Sequence, residues 1–386
     1  MSEGAQQPRV LHLDDQCGWR GGEQQMLYLA EGLRRRGVHT AAVLQPGSPA
    51  ARKAREAGVP VHELAMRGEL DLSAAFRIAR TARAGDFNIL HSHTAHAHTL
   101  ALLAAWLWRA GCRLVVHRRI EFPAGRGLLG LGRVKYRAGV QAYIAISNRV
   151  KQTLMEAGVP EWRVFVVRSA TDPVRFPSAV PPLALHGGLG IPEGAFVVGN
   201  IGALVGHKDH GNLLEACCIV RRSIPNLWVV IVGEGPLRER IVSAAETLRM
   251  ADRLVLTGFR WDVPELIRAF DVFALSSSEE GMCSTLLEVA ASGCPIVATD
   301  AGGVREAVLP GETGIVVPIR DPQALAEGIL KSAEDPVRAR RMAERGRERV
   351  LRQFTADVLT ERTMEVYRRV LAGEARPDRP VGFLPD

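Results

Sequence analysis

Lysine is scarce in this chain: 386 residues contain five, at positions 53, 135, 151, 208 and 331. Arginine carries nearly all the positive charge, which is a bias of composition rather than a sign of chemistry. Aromatic residues make up 5%, and no recognisable nucleic-acid motif accompanies the basic balance, so a nucleic-acid partner has no support. The six cysteines (17, 112, 217, 218, 283, 294) form neither a C-x-x-C pair nor a paired framework. That suits a reducing compartment and argues for a cytoplasmic protein. The opening residues form no signal peptide. The longest apolar run, residues 99–108, is too short to span a bilayer and is expected to be a buried helix. A Gly-x-Ser-x-Gly nucleophile elbow is missing. So is an Asp-x-Asp triad at a strand end, and a metal-held diphosphate is therefore not indicated.

Strand-like apolar runs are present throughout, alternating with amphipathic helical stretches. This is the pattern of βα units and parallel sheets. Strands are expected near residues 10–13, 41–44, 89–91, 114–117 and 143–146. A proline and glycine run at 177–188 reads as a linker. Five more strands follow, near 196–201, 228–232, 254–257, 272–275 and 296–298. The two domains should span 1–182 and 190–354, with helices near 336–350 and 355–371 and a mobile tail over 373–386. Charge divides unevenly. Residues 1–190 hold 25 basic against 14 acidic side chains, a net of +11, and residues 191–386 hold 24 against 28, a net of −4. The basic half is the one suited to an anionic surface or substrate.

The segment 276–306 carries the most chemical information. Glu280 and Glu288 flank Gly281-Met282-Cys283-Ser284-Thr285, which opens onto an apolar helical run. Glu280 should lie in the loop before that helix and Glu288 about one turn inside it. The free N–H groups and partial positive charge of the helix start would form an anion site between the two carboxylates. Thr285-x-x-Glu288 also fits a capping box in which Glu288 only secures its own helix, and both readings stand at this point. A second glycine turn, Gly302-Gly303, follows the next strand, and such turns at successive strand ends meet where open α/β sheets bind ligands.

These residues resemble the E-x7-E signature of retaining GT-B glycosyltransferases of family four, and Gly302-Gly303-Val304-Arg305-Glu306 resembles that family's GG-x-x-E turn. The resemblance runs from about residue 9 to 372. It implies two Rossmann-like, doubly wound parallel-sheet domains facing a central cleft, with the final helix (355–372) crossing back onto the first. The donor would be a nucleotide diphosphate-sugar, with no other cofactor and no metal. Glu288 would hold the ribose, Glu280 the transferred sugar and Lys208 the departing diphosphate. Gly202 and Lys208 resemble the family's G-R-L…K-G segment, but Ala203 stands where its arginine is frequent and Asp209 where its glycine is. Gly235 resembles a diphosphate-side turn, and Phe259 belongs to a loop like the one that cradles the base; Asp262 there also fits an ordinary N-cap. Gly21 and Gly22 resemble a glycine turn that touches donor phosphates or acceptor.

His117, at a strand end, resembles the cleft histidine that contacts the transferred sugar. Arg20, His93, Arg118 and Arg119 are expected on the acceptor side. His91, His93, His96 and His98 have spacing that could suit zinc, but no cysteine or carboxylate lies among them, so a metal is not assigned. Arg126, Arg133 and Arg137, interleaved with Gly125–Gly132, suggest a basic apolar ridge. That ridge points to a glycan or lipid-linked acceptor and to peripheral contact with the anionic inner membrane face. The expected activity is retaining sugar transfer in cell-surface polysaccharide or lipopolysaccharide assembly. Two alternatives remain open: a sugar-nucleotide 2-epimerase of the same fold, and a non-catalytic nucleotide-sugar-binding subunit.

Overall fold

The computed structural model describes residues 6–119, 135–136, 139–176 and 188–374. The chain divides into two compact units: Met1–Ala170 with Ala356–Asp386, and Thr171–Thr355. The division falls at Ala170/Thr171, ahead of the boundary expected at 182. Most of the expected linker, and the tail beyond residue 374, lie outside the described residues.

Unit 1 contains strands β1 (Arg9–Asp14), β2 (His39–Leu44), β3 (Val61–Glu63), β4 (Ile89–Ser92), β5 (Arg113–Arg118), β6 (Ala142–Ala145) and β7 (Val164–Val166). Its helices are α1 (Gly21–Arg35), α2 (Pro49–Glu56), α3 (Leu72–Ala84), α4 (Ala95–Leu107) and α5 (Asn148–Glu156). Unit 2 contains β8 (Phe196–Ile201), β9 (Leu227–Val232), β10 (Leu254–Gly258), β11 (Val272–Leu275), β12 (Ile296–Thr299) and β13 (Ile315–Val317). Its helices are α6 (His210–Val220), α7 (Arg238–Thr247), α8 (Val263–Arg268), α9 (Ser284–Ala291), α10 (Val304–Ala307), α11 (Pro322–Glu334) and α12 (Pro336–Gln353). The last helix, α13 (Ala356–Ala372), belongs to unit 1. Its Leu359, Val366, Tyr367 and Val370 share a core with Val10, Tyr28, Leu29 and Leu33.

The sheets run β3-β2-β1-β4-β5-β6-β7 and β10-β9-β8-β11-β12-β13, and all their strand pairs are parallel. Parallel neighbours need a crossover, which the helices provide, and the buried strands read as continuous apolar runs. In each unit the chain winds one way from its first strand and then reverses. The reversal points lie between β1 and β4 and between β8 and β11, where open sheets of this kind place ligands beyond the strands' carboxyl ends.

The ten expected strands all form. Three more form that were not expected, β3, β7 and β13, and each is a three-residue edge strand. An edge strand pairs on one side only and needs no long apolar run, so its sequence signal is weak. The helix expected to be buried over 99–108 is α4, but Trp106 and Leu107 at its end are 51% and 57% exposed.

Candidate active site

In unit 2, β8 ends at Ile201, Gly202 follows it, and a single 3-10 turn, Gly206–Lys208, carries the chain to α6. Asp209 begins that helix at φ 47°, in the left-handed region, and its carboxylate accepts from Asn212 N–H. Aspartate is one of the few residues that tolerates this conformation. The departure from glycine noted in the sequence therefore keeps the backbone geometry a glycine would supply.

The turn aims Lys208 toward the end of β11. Its Nζ lies 2.5 Å from Glu280 Oε1, and the Ser277 hydroxyl donates to the same oxygen at 2.7 Å. Ser276 Oγ donates to the Lys208 carbonyl at 2.9 Å, and Ser278 N–H to the His207 carbonyl at 2.8 Å. The loops after β8 and β11 are thus stitched together at the reversal point. Both groups are largely buried, with side-chain exposures of 17% and 9%. Burial opposes the lysine charge, yet the negative charge and hydrogen bond of Glu280 help hold the ammonium above its ordinary pKa. Glu280 carbonyl also accepts from Gly303 N–H at 3.2 Å, so the second glycine turn is tied to the same loop.

Past Glu280, Gly281, Met282 and Cys283 are buried and Ser284 and Thr285 half-buried. Cys283 is the N-cap of α9 at φ 62°, left-handed, and no side chain caps the helix. Glu288 is therefore the fifth helical residue, and the capping box considered from sequence does not form. Burial pushes the Glu288 carboxyl up to about 7, with Arg175 opposing the shift. The Cys283 thiol is pushed up to about 12, chiefly by burial and further by Glu280. A thiol held neutral is a poor nucleophile, so Cys283 contributes backbone shape rather than reactivity.

The other glycines have a packing explanation. A Cβ on Gly233, at φ 143°, would lie 2.0 Å from the Gly202 carbonyl oxygen, and one on Gly235 2.5 Å from that of Leu204. The ends of β8 and β9 touch backbone to backbone, and only glycine allows it. After β10, Phe259 and Trp261 are 42% and 47% exposed and pack edge to face at 4.8 Å. Asp262 occupies the N-cap of α8 without a capping bond. Its carboxylate instead pairs with Arg260 at 2.5 Å. An open hollow of about 530 Å³ lies at the opposite end of this sheet, lined by Gly194, Phe196, Asn226 and Asp271 among others, and includes none of these residues.

In unit 1 the carboxyl ends of β1, β4 and β5 carry a layer of polar side chains. His12 is registered opposite His91, and His91 opposite Val115. A strand repeats its face every two residues, so His12 and Asp14, His91 and His93, and His117 and Arg119 all share one face. Sequence inspection missed His12 and Asp14. The signal was the recurrence of a polar pair at i, i+2 on three strand ends, which becomes meaningful only with the register known.

Arg119 donates to His93 Nδ1 at 3.0 Å, and His93 Nε2 lies 3.0 Å from His12 Nδ1. His91 Nδ1 contacts the Tyr367 hydroxyl at 2.6 Å, and the His117 ring stacks on His91 at 5.5 Å. Burial holds all four histidines neutral, His12 down to about 3 and the others well below the usual range, with Arg119 adding to each. Arg119 itself is lowered to about 10 by burial, against the pull of Asp14 and Glu23.

His12, His91 and His93 bring ligand atoms within 4.8 Å of one another, a separation compatible with a metal. The hydrogen bonds argue otherwise. A guanidinium can only donate, so His93 Nδ1 accepts and the proton of the neutral ring sits on Nε2. That is the nitrogen facing His12, and it is closed to a cation while Arg119 holds its place.

The expected acceptor-side residues separate. Arg20 is exposed at the start of α1, where its N–H donates to Glu23 Oε2 at 2.6 Å. Gly21 and Gly22 open the helix, and a Cβ on Gly22 would lie 3.6 Å from Arg119 Cδ. Arg118 is buried over the Tyr136 ring at 5.6 Å, and His93 and His117 are enclosed in the histidine layer. The sequence expected these three to face a substrate; the fold buries all three, His117 at 1% and Arg118 and His93 at 5% exposure. Arg126, Arg133 and Arg137 lie outside the described residues. Among the described residues no helix is long and apolar enough to cross a membrane.

Residues 184–349 match the family described as Glycosyl transferases group 1, and residues 19–175 match Glycosyltransferase Family 4. The chain is 26% identical over 352 residues to the lipopolysaccharide core biosynthesis glycosyltransferase LpsE of Rhizobium meliloti, covering 90% of this chain and 95% of the relative. It is 25% identical over 375 residues to LpsD of the same organism, covering 94% and 99%. Among solved structures, Anabaena HepE in complex with UDP and glucose superposes with a TM-score of 0.83 at 22% identity, covering 93% of this chain and 99% of that one.

Proposed function

The chain belongs to the group 1 glycosyltransferases, and on that premise we propose that it moves a sugar from a nucleotide diphosphate-sugar to a glycan or lipid-linked acceptor, with retention at the anomeric carbon. The observation that carries the reading is the Lys208–Glu280 pair joining the ends of β8 and β11, next to the uncapped start of α9. Lys208 and Ser277 both donate to Oε1 of Glu280, so Oε2 is the oxygen left for a sugar hydroxyl. Lys208 and the first N–H groups of α9 receive the diphosphate. Their charge is already in place when the bond to the anomeric carbon breaks, and little reorganisation is needed as the leaving group gains charge. Glu288, one turn further on, takes the ribose. Phe259 and Trp261 offer exposed rings for the base. Lys208 supplies the cationic role, and the reading needs no metal.

The relatives LpsE and LpsD act in lipopolysaccharide core biosynthesis by name, which favours an acceptor of cell-surface glycan chemistry for this chain. Incubation with donor and acceptor in EDTA, followed by proton NMR of the new anomeric signal, tests the proposal. A product with the donor's anomeric configuration is expected. An inverted product would overturn retention, and epimerised free sugar without acceptor would replace transfer as the activity.

Contact with an anionic leaflet is part of the same proposal. Unit 1 exposes Leu72, Phe76, Trp106 and Leu107 on α3 and α4, and its half of the sequence holds the excess of arginine. A basic residue near an anionic surface contributes about 1 kcal/mol. Binding to vesicles containing phosphatidylglycerol should therefore weaken as salt rises and fall when Arg126, Arg133 and Arg137 become glutamine. Wild-type protein that ignores such vesicles at low salt would remove the membrane from the account.

A further inference from the structure

Three serines follow β11, and their hydroxyls go to different places. Ser276 Oγ donates to the Lys208 carbonyl at 2.9 Å and Ser278 Oγ to the His207 carbonyl at 3.3 Å, so both hold the backbone of the turn after β8. Ser277 does not. It is fully buried, and its one hydroxyl proton goes to a side chain, Glu280 Oε1, at 2.7 Å. The Ser277 carbonyl accepts from Thr299 Oγ1 at 2.6 Å, and Thr299, also fully buried, is the last residue of β12. Two hydrogen bonds therefore link the end of β12, through Ser277, to the carboxylate.

Charge compensation does not need this link, because Lys208 Nζ already lies 2.5 Å from the same oxygen. What a single donor cannot supply is direction. The last torsion of a glutamate is broad and nearly two-fold, so a carboxylate held only by a lysine's flexible stem can turn and exchange its oxygens. Here two donors reach Oε1 from different elements, one from the turn after β8 and one from the loop after β11. Together they fill the two lone pairs of that oxygen. Oε2 is then presented in one place and one orientation.

We infer that Ser277, braced by Thr299, is a positioning residue for Glu280 and sets which hydroxyl configuration of the donor sugar the site accepts. The inference rests on the glycosyltransferase reading and deepens it. Ser277 touches no substrate, but it decides where the free carboxylate oxygen stands. A sugar whose hydroxyl meets Oε2 donates to it. In an epimer that hydroxyl points elsewhere, and a largely buried carboxylate oxygen left unpaired penalises the complex. A Glu280 free to turn would follow either epimer, and the discrimination would shrink.

The test uses the full-length protein with two epimeric donor pairs, UDP-glucose with UDP-galactose and GDP-mannose with GDP-glucose, and reads turnover as release of the nucleoside diphosphate. The wild type should prefer one member of a pair. Ser277→Ala should lower turnover of that donor about three- to tenfold and narrow the preference by a similar factor. The donor KM, and the midpoint rise given by free UDP or GDP, should keep their wild-type size, because Lys208 and the start of α9 are untouched. Thr299→Val, close in shape and without the hydroxyl, should move turnover and preference the same way by less. In a Glu280→Ala background, adding Ser277→Ala should change nothing further, whereas a purely structural role would add its own loss. Equal turnover of both epimers by the wild type, an unchanged preference in Ser277→Ala, a reduced midpoint rise with the free diphosphate in that variant, or full additivity with Glu280→Ala would each overturn the assignment. If no nucleotide-sugar raises the wild-type midpoint, the underlying glycosyltransferase reading fails before Ser277 is reached.

Discussion

Replacing Lys208 by alanine should lower turnover at least about tenfold. The ammonium sits where charge grows on the departing diphosphate, and losing a charge-assisted hydrogen bond costs roughly 1.5–3 kcal/mol, of which the transition state bears the larger part. The Lys208–Glu280 pairing sharpens this expectation. Without Lys208, Glu280 keeps the Ser277 hydroxyl but becomes a largely buried carboxylate without its cation, beside the proposed phosphate site. It would then repel the substrate as well as fail to assist it. Glu288→Ala should behave differently and mainly raise the donor KM, because ribose contacts change little during the reaction. Steady-state kinetics on both variants decide the matter. Equal effects on KM alone, with turnover intact, would show that the roles are misassigned.

Acidification should destabilise unit 1 steeply between about pH 6.5 and 5. His12, His91, His93, His98 and His117 all have folded pKa values lowered by burial. The unfolded chain therefore binds protons that the folded unit refuses, and stability falls as pH drops below the ordinary histidine value. Asp14, raised to about 7 by burial and by Glu23, and Glu23, raised by burial, work in the opposite sense. Their folded forms take protons first, and their contribution is lost as pH rises through those raised values. The five histidines outnumber the two carboxyls, so unfolding takes up protons on balance, and each net proton adds about 1.4 kcal/mol to the loss for each pH unit.

Thermal melts across this range should show the midpoint falling, and His117→Phe should make the fall shallower. Both ring nitrogens of His117 are buried without a protein hydrogen-bond partner, so an apolar ring of similar shape removes one refused proton and leaves no broken bond. A midpoint flat from pH 7 to 5 would mean that the histidine layer is not held neutral.

Much of this was legible in the sequence because the physics is local. Apolar runs marked ten strands, all but the three shortest at the sheet edges. The turn at 281–285 located the start of α9, and Glu280 and Lys208 were singled out from their own surroundings. What escaped depends on strand order or on backbone conformation. The meeting of Lys208 with Glu280, 72 residues apart, follows from β8 lying beside β11, which no local pattern reports. The layer of His12, Asp14, His91, His93, His117 and Arg119 needs the register of three strands. Asp209 and Cys283 adopt left-handed conformations that their side chains do not announce, so a substitution that reads as a departure from pattern leaves the turn intact. Edge strands β3, β7 and β13 are too short to stand out.

The central claim is that unit 2 binds a nucleotide diphosphate-sugar through the ends of β8 and β11 and the start of α9. The thermal midpoint of the full chain, measured against a panel of uridine, guanosine and adenosine diphosphate-sugars, tests it most directly. A ligand at a hundredfold excess over its Kd stabilises the folded state by about 2.7 kcal/mol, a rise of roughly 5–10 °C for a unit of this size. The account predicts such a rise with one nucleotide class in the wild type and its loss or sharp reduction in Glu288→Ala. A panel in which no nucleotide-sugar moves the midpoint, or a rise that Glu288→Ala leaves untouched, would contradict it.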